Sequence, residues 1–113
     1  MRHKPAPASQ APLPSPEEIA ALEASAGAAA RLMKLMASEQ RLLLLCRLAE
    51  GECSVNELAH YVNLAQSAAS QHLAKLRTEG VVATRREGQI IYYRLADGGV
   101  TKVLDALCEI YGR

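Results

Sequence analysis

Three observations predict a mainly α-helical domain with one small β-hairpin set late in the chain. Helix-start residues recur at Ser15, Ser38, Ser54 and Asp97, each ahead of a stretch whose apolar residues repeat at three- and four-residue intervals. One stretch only, Val81 to Leu95, changes to β-branched and aromatic residues about a glycine-containing turn. The 113 residues give room for one compact domain. Half of them are apolar, yet Trp and Phe are absent, so the core must come from Leu, Val, Ile and Ala. A short chain with small aliphatic side chains buries a modest core, and pairing with a second copy is a common remedy.

All five prolines fall in the first sixteen residues, among Ala, Ser and Gln. Such a segment cannot bury enough apolar surface to order itself, so residues 1–15 read as a flexible tail and 16–113 as the domain. Ser15-Pro16-Glu17-Glu18 opens the first helix with a cap, a first-turn proline and two acids. Its apolar positions, Ile19, Leu22, Ala26, Ala29, Met33 and Met36, form one narrow stripe of coiled-coil spacing. That stripe suits a partner helix or the chain's own core. Ser38 caps a second helix to about Ala49, which holds Leu42, Leu43, Leu45, Cys46 and Ala49. Ser54-Val55-Asn56-Glu57 is a capping box for a short third helix ending near Val62. Asn63 to Ala65 turn the chain into a fourth helix, from about Gln66 to Glu79, which Gly80 closes. Val81–Arg86 and Ile90–Leu95 form the hairpin. Asp97 caps a last helix with Val100, Val103, Leu104, Leu107, Cys108 and Tyr111 on one side.

The net charge of +1 conceals an uneven distribution. Residues 1–64 hold 6 basic and 7 acidic side chains, and residues 95–113 hold 2 and 3. Residues 65–94 hold 5 basic against 2 acidic, a concentration that suits a phosphate-binding face. No apolar run reaches the roughly 18 to 20 residues of a membrane span, and no signal peptide is recognisable. A cytoplasmic protein is expected, and an odd count of three cysteines argues against a structural disulfide framework. Enzyme chemistry has no foothold. There is no glycine-rich phosphate loop, no Ser or Cys has a plausible His and acid set, and His3, His60 and His72 lack metal spacing. No cofactor is expected.

A short helix, a tight turn, a second helix and a basic hairpin make the plan of a winged helix-turn-helix, in the order α-α-α-α-β-β-α. Such a domain reads DNA only if its second helix buries one face and offers small polar side chains on the other. Residues 66–79 meet that need. Ala69, Leu73 and Leu76 form the inward stripe, while Gln66, Ser67, Ser70, Gln71 and Lys75 fall outward. Gln and Ser bond base edges or phosphates, and Lys75 suits a phosphate. Arg85 and Arg86 on the hairpin, with Gln89 at its tip, are placed to grip the backbone or the adjacent minor groove of double-stranded DNA. Winged helices also serve as protein-interaction modules, and that reading predicts DNA binding that is weak and insensitive to salt.

Residues 66–77, Gln-Ser-Ala-Ala-Ser-Gln-His-Leu-Ala-Lys-Leu-Arg, followed by Glu79-Gly-Val-Val and by the hairpin from Arg85 to Leu95, resemble the ArsR/SmtB family of bacterial repressors. The likeness spans about residues 17–112. It implies a homodimer joined through the first and last helices, which assigns Ile19, Leu22, Ala26, Ala29, Met33, Leu104, Leu107 and Tyr111 to the interface. It also implies a small inducer that releases the protein from operator DNA. His72 lies in the recognition helix of the resemblance, where it touches DNA or bonds within the chain.

The family's known metal sites look dismantled here. A third-helix motif with two cysteines matches Glu52–Leu58, where Ser54 and Asn56 replace both ligands and Cys53 is one residue out of place. In the last helix Asp97 survives, but Gly99, Ile110 and Arg113 stand at the other ligand positions. A branch of the family senses reactive sulfur or oxidants with one cysteine in the second helix and one in the last. The run Leu43-Leu44-Leu45-Cys46 resembles it, although the second cysteine is expected at Gly112 and Cys108 lies one helical turn earlier. Three signals stay open: a thiol switch between Cys46 and Cys108, arsenite or another thiophilic ion held by Cys46, Cys53 and Cys108, or no cysteine signal.

Overall fold

The computed structural model describes residues 12–112; residues 1–11, most of the expected tail, and residue 113 lie outside the described residues. Helix α1 (Pro16–Ala24) begins at a complete capping box. The Glu18 amide donates to Ser15 Oγ at 3.1 Å, and the Ser15 amide donates to Glu18 Oε1 at 2.7 Å. The single helix expected to run on to Met36 is instead broken at Ser25, where φ is −107° and ψ is 16°. Helix α2 (Ala26–Met36) follows. Physically, the break falls where Ser competes for backbone hydrogen bonds, and Gly27 just beyond costs about 1 kcal/mol relative to Ala.

Helix α3 (Glu39–Leu48) is capped by Ser38, whose hydroxyl accepts from the Arg41 amide at 3.3 Å. The Arg41 side chain folds back, donating from Nε to the Leu35 carbonyl at 2.7 Å, and so pins the α2–α3 corner. Leu44, Leu45 and Leu48 are buried, whereas Leu43 and Ala49 face solvent. The inward face of α3 thus runs through Leu44, Leu45 and Leu48, with Leu42 and Cys46 packed at its edge. Four consecutive leucines carry no periodicity, so neighbouring elements set the rotation.

A two-residue strand β1 (Cys53–Ser54), absent from the expected plan, precedes α4 (Val55–Val62). Asn63 ends α4 in the left-handed conformation with φ 58°, a role Asn tolerates better than most side chains. Helix α5 (Gln66–Thr78) then leads to strands β2 (Val82–Glu87) and β3 (Ile90–Leu95). The sheet order is β1-β3-β2, all antiparallel. Glu87 pairs with Ile90, so the hairpin turns in two residues, and Gly88 supplies the positive φ of 64° that such a turn needs.

Asp97 caps α6 (Gly98–Leu107), its carboxylate accepting from the Gly99 amide at 2.7 Å. The expected last helix does not stay α-helical: Cys108–Gly112 widen into a π-helical turn. The core gathers Leu44, Leu45, Leu58, Leu73, Leu76, Val81 and Val100. One residue assigned to the partner contact, Leu104, packs here within the single chain, at 6% exposed, and Met36 at the end of the α1–α2 stripe is buried to the same degree, because α2 and α6 both close over that core. Among the described residues every buried side chain is apolar.

Candidate nucleic-acid interface and thiol pair

Helix α5 divides sharply into two faces. Ala69, Leu73 and Leu76 are wholly buried, at the i, i+4 and i+7 positions that fix one stripe against the core. Gln66, Ser67, Gln71 and Lys75 are exposed opposite, with Ser70 and His72 half-buried at the margins. His72 makes no hydrogen bond within the chain among the described residues, so the alternative of an internally bonded histidine is not realised. Gln66 and Ser70 join Ser54, Asn56, Gln89 and Tyr93 around a polar cleft of about 290 Å³ between α5 and the hairpin. Asn56, read from the sequence as part of a capping box and as a lost ligand position, also lies on this cleft with Gln66 of α5.

The hairpin arginines, both expected to reach DNA, are not equivalent. Strand residues alternate between faces. Arg85 pairs with Tyr92 and Arg86 with Ile91, so the two side chains leave opposite sides of the sheet. Arg85 is engaged within the chain. Its Nε donates to the two Glu52 oxygens at 2.9 and 2.8 Å, and its Nη2 stands 2.8 Å from Oε1. Its guanidinium also lies 4.6 Å from the Tyr92 ring centre and 3.7 Å from Glu87. The hydrogen bond from Arg85 holds the Glu52 carboxyl below the usual carboxylate range. Arg86 is exposed and has no ion-pair partner among the described residues. Glu52 is the residue sequence reasoning missed, and the strict alternation of β2 was the signal that separates the arginines.

The cysteines also separate. Cys46 is half-buried on α3, Cys53 buried on β1 and Cys108 exposed at the end of α6; all three are free thiols. Cys46 and Cys108 line one apolar pocket of about 360 Å³ with Leu42, Leu104, Leu107 and Tyr111. Burial, then the neighbouring Cys108, then Glu50 push the Cys46 thiol above the ordinary range. The displacement of Cys108 from the expected position 112 closes up in three dimensions. Gly112 borders the same pocket, and a Cβ built on it would stand 3.8 Å from the Cys108 Cβ. Cys53 pairs with Tyr93 in the sheet and does not border that pocket. Among the described residues no three His, Cys, Asp or Glu side chains gather as a metal site, so the three-thiol site is not assembled. No helix of the described residues is long and apolar enough to cross a membrane.

Comparison with known proteins agrees with this geometry. A family model described as bacterial regulatory protein, arsR family, matches residues 38–84. Nodulation protein NolR of Rhizobium meliloti is 48% identical over 101 residues, 89% of this chain and 79% of the relative. The structure of reduced HlyU from Vibrio cholerae superposes with a TM-score of 0.77 at 42% identity, covering 82% of this chain and 98% of that one. The transcriptional repressor BigR of Xylella fastidiosa gives a TM-score of 0.79 at 38% identity, over 82% and 95% of the two chains.

Proposed function

The chain belongs to the arsR family of bacterial regulatory proteins, which are DNA-binding regulators and not enzymes, and from that premise we propose a dimeric, cytoplasmic repressor released from operator DNA by chemistry at Cys46 and Cys108. Helix α5 enters the major groove with Gln66, Ser67, Ser70, Gln71 and His72 toward base edges, and Lys75 meets a phosphate. Arg86 and Gln89 extend the grip from the hairpin, while Arg85 holds the hairpin to Glu52. The exposed Ile19, Leu22 and Met33, with Tyr111 at the other end of the chain, form the contact between copies.

The observation that carries the signal is the shared pocket of Cys46 and Cys108. The exposed Cys108 attacks a polysulfide first, and Cys46 then closes on the resulting persulfide. Both thiols lose their protons, the two sulfurs join, and the polysulfide takes up the two electrons and leaves as hydrogen sulfide; a longer polysulfide leaves a sulfur atom in the bridge. Linking α3 to the end of α6 changes the geometry in which two α5 helices face one duplex.

Operator binding by reduced, polysulfide-treated and arsenite-treated protein tests the reading. Polysulfide weakens binding in the wild type and leaves Cys46→Ser and Cys108→Ser unaffected. Release by arsenite alone replaces the switch with a thiophilic-ion sensor, and no release by either removes both cysteine models.

A further inference from the structure

A second basic surface lies beside the α5 reading face. Arg31 and Lys34 of α2, Arg41 of α3 and Lys75 of α5 line an open cleft of about 360 Å³, together with Leu35 and Glu79. Three of these cations come from residues 1–64, where acids outnumber bases, and only folding brings them to Lys75. Among the described residues none of the four is ion-paired with a carboxylate, although Glu79 borders the same cleft. Like charges gathered without internal partners repel one another, and an anion placed among them removes that cost.

We propose that this cleft holds the sugar–phosphate backbone of duplex DNA beside the segment that α5 reads. The inference rests on the DNA-binding reading above and extends its footprint. Two features favour a backbone over a small free anion. Lys75 stands one helical turn beyond Gln71 on the outward side of α5, so the cleft continues the reading face. The cations also span three helices, an extended arrangement suited to successive phosphates. Arg41 is already positioned, with Nε on the Leu35 carbonyl at 2.7 Å and Nη2 on the Lys34 carbonyl at 3.4 Å. Backbone contacts of this kind set register and orientation and carry no base information.

The test compares wild type with the double variant Arg31→Gln/Lys34→Gln, both positions being exposed. Binding to a mixed-sequence duplex is measured from 50 to 200 mM salt. Two lost phosphate contacts make the log–log salt slope shallower by about 1.8, so the wild-type advantage shrinks about 12-fold across that range. An unchanged slope overturns the proposal. If Arg86→Gln still lowers the slope in that case, the DNA-binding reading stands and only the cleft falls. Inorganic phosphate titrated at constant ionic strength is the second arm. Saturable binding by wild type that the double variant loses makes this a free-anion site and also overturns the proposal.

Discussion

Two regions of this chain are built from similar apolar stripes and end in opposite states. In α5 the stripe closes completely: Ala69, Leu73 and Leu76 are each 0% exposed. Along α1 and α2 it stays open, with Ile19 at 40%, Leu22 at 54% and Met33 at 68%; α1 contributes no buried residue at all. Periodicity alone cannot tell a helix that packs at home from one that waits for a partner. Burial separates the two: the α5 stripe lies in the chain's own core, whereas Ile19, Leu22 and Met33 stay exposed on the surface proposed above to meet a second copy.

The largest expected consequence is in stability. Leu73→Ala empties a fully buried site and costs about 2–5 kcal/mol in urea unfolding. A loss below about 0.5 kcal/mol would erase the contrast between the two stripes. Leu22→Glu acts on the open stripe instead. It leaves the protomer's helical circular dichroism in place and halves the mass seen in sedimentation equilibrium; an unchanged mass takes the arm out of the dimer contact.

A smaller effect separates the hairpin arginines. Arg86→Ala lowers the salt slope of duplex binding by about 0.9, one phosphate contact. Arg85→Ala leaves that slope unchanged, since its guanidinium is already held by Glu52. Equal effects from both would mean that Arg85 leaves Glu52 when DNA binds. The smallest effect is in thiol reactivity. A raised pKa means less thiolate at a given pH, so alkylation of Cys46 by iodoacetamide trails that of Cys108 near neutrality and rises only at more alkaline pH. Cys46 reacting first at neutral pH would contradict its desolvated setting.

Much of the fold was legible because its signals are local. The capping pairs at Ser15/Glu18 and Ser54/Glu57, the cap at Asp97 and the glycine at 88 each specify geometry within a few residues. The recognition face was legible for the same reason, since a 3.6-residue period separates Leu73 from Gln71 without reference to anything distant. What escaped depends on contacts far apart in sequence. The Glu52–Arg85 clasp joins residues 33 apart. Which of the four leucines of α3 turn inward is set by the elements packed on it, since the run itself has no period. Leu104 shows an apolar side in the sequence, but only packing decides whether that side meets its own chain or another. That Cys46 and Cys108 line one pocket likewise depends on how α3 packs against α6, 62 residues further along the chain, which no local residue pattern announces.

The polar side of α5, and not the exposed apolar stripe of Ile19, Leu22 and Met33, is proposed to meet DNA. Amide chemical shifts recorded as the reduced full-length protein is titrated with duplex DNA test it most directly. The changes are expected to concentrate on Gln66, Ser67, Gln71, Lys75, Arg86 and Gln89, while Ile19, Leu22 and Ile110 stay in place. Changes centred on α1 and the C-terminal turn, with α5 unmoved, would rule that contact out.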